Sequence, residues 1–174
     1  MAGKTTWLAA SMLLVCNVPS QAAAQEHNAQ QVARKGETRI AAKLNGVTVS
    51  ARLLTHEVAI GSVYDQPPKH PTLNCTYSHV PCLLVDSLVI SVGAHEVFVP
   101  RSAFGDLADI WTVNLHPVTR DRFGLTLVGG DASAAYEAEI VFDRHRVRER
   151  KITDSEAQMV SEKTTYFDVS RAFR

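Results

Sequence analysis

The sequence predicts an all-β fold, a small antiparallel β-sandwich or barrel-like domain with one short helical patch. Three observations predict it. Runs of four to eight residues alternate apolar and polar side chains, the period of a strand with one buried face. Two-residue turn signals, Asn45-Gly46 and Gly93-Ala94, separate pairs of such runs. Only residues 100–111 carry helical spacing, and strands at short intervals with a single helical patch argue two packed β layers.

A leader precedes the domain. Met1 to Lys4 supplies one positive charge, Trp7 to Val15 a short apolar run, and Ala22-Ala23-Ala24 the small residues that signal peptidase requires. That order predicts a secretory signal peptide over residues 1–24, cleaved after Ala24. The run falls well short of the roughly 20 apolar residues of a membrane span. Val15, before Cys16, is too bulky for a lipid-modified cysteine. The mature chain is therefore expected in the periplasm or outside the cell, with no transmembrane segment. Lys+Arg and Asp+Glu number 18 each, and this balance argues against nucleic acid as a partner. Residues 25–36 are polar and aperiodic and are expected to form a flexible N-terminal arm. Residues 37–174 are expected to form a single β-rich domain.

The elements follow in order. Ile40, Ala42 and Leu44 face Val47, Val49, Ala51 and Leu53 across the Asn45-Gly46 turn. Val58 to Val63 reads as a short strand. Residues 64–81 hold four prolines, whose missing amides oppose a ladder, so a long loop is expected there. Leu84–Val92 and His95–Val99 make a second hairpin around Gly93-Ala94. Phe104, Leu107, Ala108 and Trp111 share one face of a short helix, with Ser102 as its N-cap and Asp106 and Asp109 on its solvated side. Residues 111–115 read as a strand, 116–122 as a charged loop and 123–128 as a strand. Residues 134–142 and 146–152 form the last hairpin. A two-residue Arg144-His145 turn there sets Phe142 opposite Val147 and Glu139 opposite Arg150, avoiding a Glu139–Glu149 pair. Residues 153–163 have weak helical potential, and Thr164 to Val169 closes the fold.

Cys75 and Cys82 are the cysteines left after the leader, in a C-x6-C spacing that suits neither a thioredoxin-like site nor a complete zinc site. In an oxidising compartment they are expected to form a disulfide. Thr76, Tyr77, Ser78 and His79 between them are the candidate binding tip, since a proline-rich, disulfide-tied loop loses little entropy on binding. Asn74-Cys75-Thr76 matches a glycosylation pattern, but an Asn beside a disulfide is a poor acceptor.

Four further constellations have bland alternatives beside them. Seven histidines are scattered without paired ligand spacing, although His70 and His79 flank the disulfide and suit zinc or copper. Asp106, Asp109 and Asp131 would suit calcium, but no EF-hand pattern is present. Ser133 with His116 or His145 and Asp131 would make a hydrolase triad, yet no G-x-S-x-G frames the serine. The stretch Gly129-Gly-Asp-Ala-Ser133 reads better as a corner between strands. Arg144 to Lys151 is strongly basic, but Glu137 and Glu139 stand on the partner strand to neutralise it. The expectation is an exported binding protein of the cell envelope, without cofactor or catalytic motif, whose partner is another protein. Metal capture and a serine hydrolase are the alternatives.

Overall fold

The computed structural model describes residues 29–59, 75–76 and 81–168. Over these the chain forms strands β1 (Gln30–Gln31), β2 (Gly36–Leu44), β3 (Val47–Val58), β4 (Cys82–Val92), β5 (His95–Val97), β6 (Ile110–Thr119), β7 (Arg122–Gly129), β8 (Tyr136–Phe142), β9 (Val147–Asp154) and β10 (Val160–Thr165). They build two antiparallel sheets, one of six strands in the order β1-β6-β7-β8-β9-β10 and one of four in the order β2-β3-β4-β5. Neither sheet closes into a barrel. Both contribute to one core, in which Leu53 and Ile90 of the smaller sheet join Leu125, Ile140 and Phe142 of the larger. Among the described residues no helix is long and apolar enough to cross a membrane.

The alternation read from the sequence is the alternation of burial. Along β2, Thr38, Ile40 and Ala42 are buried and the residues between them are not; Val49, Ala51 and Leu53 do the same in β3. Asn45 and Gly46 take φ of 50° and 81° and pair Leu44 with Val47. Val92 pairs with His95 across Gly93-Ala94. At the other turn-rich stretch, Gly130 takes a φ of 73°, and a Cβ there would lie 2.1 Å from the Ala134 carbonyl oxygen. Residues 129–134 thus form a corner that leads, through the 3-10 turn Ala132–Ala134, from β7 to β8.

Several expectations are corrected. The segment 29–36 is docked rather than a free arm: Gln30 and Gln31 pair with Val113 and Thr112, and the buried Val32 donates its amide to the Trp111 carbonyl. The helical patch is only a 3-10 turn at Arg101–Ala103, and Ser102 does not cap it. Phe104, Leu107 and Ala108 are buried, but as parts of a strap, residues 98–109, that crosses between the sheets and hydrogen-bonds to both. Phe98 exchanges bonds with His145 and Val147, and the Asp109 amide donates to the Leu83 carbonyl. Trp111 belongs to β6 and faces out. Residues 116–119 continue β6 instead of forming a loop; Pro117 is tolerated because β1 pairs only with residues 112 and 113, leaving that side of the strand without a ladder.

The last hairpin has Phe142 opposite Val147, but a bulge absorbs Arg148, so Glu139 faces Lys151 and Val141 faces Glu149. The bulge lets Arg148 reach Asp143, at 2.5 Å, while the Asp143 carboxylate also accepts the amides of His145 and Arg146. Residues 153–163 are not helical: β9 runs to Asp154 and β10 starts at Val160. The strand read over Val58–Val63 has Val58 as the end of β3; residues 60–63 lie outside the described ones, as does the leader.

Candidate functional site

Among the described residues, the most densely bonded place is where the strap meets the start of β4. Cys75 and Cys82 are joined in a disulfide with their Cα atoms 5.6 Å apart. Asp109, at the end of the strap, is 6% exposed and has a φ of 49°, a conformation that Asp tolerates better than most side chains. Its Oδ2 accepts the Thr76 amide at 2.7 Å and the Thr76 hydroxyl at 2.9 Å, and its Oδ1 accepts the Leu83 amide at 2.9 Å. One buried carboxylate thereby binds the chain on both sides of the disulfide ring.

The sequence-derived site residues divide here. Thr76 is 5% exposed and turned inward onto Asp109, so it fastens the ring instead of projecting from it. Tyr77, Ser78 and His79 lie outside the described residues, as does His70. The ligand atoms of Cys75, Cys82 and Asp109 fall within 4.8 Å of one another. Their sulfurs are bonded to each other and the carboxylate is occupied by three donors, so in this oxidised state the trio is already spent.

The proposed calcium trio is not assembled. Asp109 is the buried anchor rather than part of a solvated face, and Asp106 pairs with Arg150 Nη2 at 2.7 Å. The hydrolase residues are also apart. Ser133 precedes one end of β8 and His145 follows the other, so the strand's seven residues separate them by roughly 20 Å. His116 lies mid-sheet opposite Gly124.

No family model, curated protein or solved structure matches the chain.

Three features escaped the sequence reading. A cleft of about 450 Å³ lies beside the anchor, with Trp111 on one wall and Gln31, Arg34, Leu83 and Asp131 around it. Asp131 comes from the corner in Gly129–Ser133, which places it facing a tryptophan twenty residues earlier in the chain. A second cleft, of about 460 Å³, has Cys75, Tyr136, Arg150 and Glu162 in its lining. Arg150 is 4% exposed; its Nη1 donates to the Ser102 carbonyl and meets Glu162 at 3.2 Å. It ties β9 and β10 to the strap. The Tyr136 hydroxyl, bonded to Ala108, is held far above the usual phenol range, first by burial, with the nearby Asp109 and Asp106 charges adding to it.

The third feature is a polar ladder on the outward face of the larger sheet. His116 Nε2 lies 3.3 Å from Glu139 Oε1, and Lys151 Nζ lies 2.7 Å from Glu139 Oε2. The imidazole lies across Gly124, where a Cβ would come within 2.3 Å of Nε2. Burial opposes ionisation of Glu139, but the Lys151 and His116 contacts outweigh it and hold the carboxyl below its ordinary range. The sequence signal for this ladder was only the alternation of charges on adjacent strands, and a bulge decided which charges meet.

Proposed function

We propose that this chain is an exported, β-rich binding protein of the cell envelope, which engages another envelope or extracellular protein through Tyr77, Ser78 and His79. The observation that carries this reading is the anchor at Asp109. A buried carboxylate and a disulfide together fix residues 75, 76, 82 and 83 to the body of the fold. Fastening both ends of a short segment lowers the entropy it loses on binding, which is how a small contact surface gains affinity. The segment that the anchor delimits contains an aromatic, a hydroxyl and an imidazole, all able to hydrogen-bond and two of them able to stack.

The test is capture from an envelope extract with the oxidised exported protein as bait, read by mass spectrometry. One protein partner is expected, and its affinity should fall at least about tenfold, or about 1.4 kcal/mol, when Tyr77, Ser78 and His79 are all replaced by Ala. Capture that is indifferent to the triple replacement would remove the assignment. The same preparation checks the leader, since its first residue should be Gln25.

A further inference from the structure

Trp111 stands apart from the other large aromatics that the strands carry. The register shift between Ile110 and Thr112 makes it the bulged residue of β6, and the bulge turns its indole out of the core, leaving it 53% exposed. It forms a wall of the 450 Å³ cleft, a volume within the roughly 300–1,000 Å³ of small-ligand sites. We propose that this cleft is a subsite for a neutral oligosaccharide, with one sugar ring stacked on Trp111. The proposal does not depend on the protein-partner reading above.

The choice of ligand follows from the chemistry of the walls. The indole offers a flat apolar plate whose π face is electron-rich. The C–H face of a pyranose ring is apolar, carries slight positive charge and matches the plate in size. Around it, Arg34 supplies only donors, Gln31 both donors and acceptors, and Asp131, which has a partner of its own, only acceptors. Hydroxyl groups both donate and accept, so a polyol suits this mixture better than a group limited to one role.

Charge excludes the two obvious competitors. Arg34 lies 2.5 Å from Glu57 and also donates to the Pro81 carbonyl, and Asp109 and Asp131 stand nearby, so the described residues of the cleft carry no positive excess to hold a phosphate or carboxylate. An ammonium ion favours several aromatic rings around it, whereas the described residues of this cleft present one ring and an arginine at its edge.

The walls are also fixed in place. Asp109, Gly130 and Ala132 all have positive φ, and the Gly130 amide donates to the Asp109 carbonyl. Asp131 is therefore held between two constrained residues, and the cleft needs little ordering when a ligand arrives.

Trp7 is in the expected leader, so in the exported protein Trp111 is the sole tryptophan and its emission reports the cleft directly. The test titrates the oxidised exported protein with cellohexaose, chitohexaose and mannohexaose, followed by fluorescence and by calorimetry. At least one should give a saturable shift of emission with matching heat. Trp111→Ala should weaken that binding at least about tenfold by calorimetry, and Trp111→Phe should retain part of it, with the melting temperature of both near that of the parent because the side chain is exposed. No saturable response to any of the three sugars would overturn the proposal. So would sugar affinity unchanged in Trp111→Ala. A captured protein lost with Trp111→Ala yet kept by the Tyr77, Ser78, His79 variant would reassign the cleft to a protein contact and overturn it equally.

Discussion

Asp109 shows how much one side chain can organise. Removing its charge leaves three donors facing an amide that can accept through one oxygen only. Hydrogen bonds to a charged group are each worth about 1.5–3 kcal/mol, and a buried donor left without a partner costs about 1–3 kcal/mol. Asp109→Asn keeps the volume and tolerates the positive φ, so backbone strain does not confuse the comparison. We expect it to cost about 3 kcal/mol, measured by the denaturant midpoint of the oxidised protein. A loss under about 1 kcal/mol would mean that the three bonds are replaced by water and that the anchor is weaker than its geometry implies. The sequence offered little warning of this role. Asp109 fell on the polar side of a helical repeat, and that repeat was real as a spacing of buried residues; it marked a strap whose amides are satisfied by other strands. Trp111, last member of the same repeat, shares the apolar face of that pattern yet is exposed in the cleft wall, because a bulge is invisible in a hydrophobic pattern.

Elements were more legible than single residues wherever a turn fixed them. Asn45-Gly46 and Gly93-Ala94 set the register of their hairpins, and the buried faces of β2, β3 and β4 follow from alternation alone. The hairpin of β8 and β9 was read correctly at Phe142 and Val147 and then missed by one residue, since the pull of Asp143 on Arg148 extrudes a residue that pairing rules would keep in line. This hairpin also has a pH signature. Burial opposes ionisation of both Glu139 and Asp143, yet Lys151 and His116 for the first, and the His145 and Arg146 amides with Arg148 for the second, hold both carboxyls below their ordinary 4.5 and 3.8. Lys151 is raised above 10.5, mainly by its bond to Glu139. The two carboxylates thus contribute stability that is complete above the unfolded values and is lost as pH falls through the lower folded ones. The lysine contributes below its unfolded value and loses its part as pH rises through the folded one. The melting temperature should therefore be level from about pH 5 to about pH 10 as far as these groups are concerned, and should fall on acidification below that range. Glu139→Gln should lower the plateau and shrink the acid-side fall; an acid-side fall of unchanged size would show that Glu139 is not among its causes.

At the scale of the whole molecule the question is whether the disulfide holds the fold or only dresses it. The two sheets share a core of Leu53, Ile90, Leu125, Ile140 and Phe142, and the cystine is outside it: Cys82 packs with Ala108, Val58, Leu84 and Cys75 in a separate small cluster. The ring is short, with a sequence separation of 7, so in the chain-entropy account its closure restrains the unfolded chain by roughly 2–3 kcal/mol. That is less than the stability of a typical domain, about 5–15 kcal/mol. Other fastenings remain after reduction, namely Arg150 between β9, β10 and the strap, and Phe98 paired with the beginning of β9. Reduction should consequently lower the melting temperature by roughly 5–10 °C while leaving one cooperative transition and the far-ultraviolet signal of β structure. Combining reduction with Asp109→Asn separates the two halves of the anchor. If both act only by holding the same ring, their costs will sum to less than the two measured singly, because the second loss finds the ring already released. Strict additivity would instead assign Asp109 a separate duty, bracing the strap that leads into β6, with Trp111 and the cleft beside it.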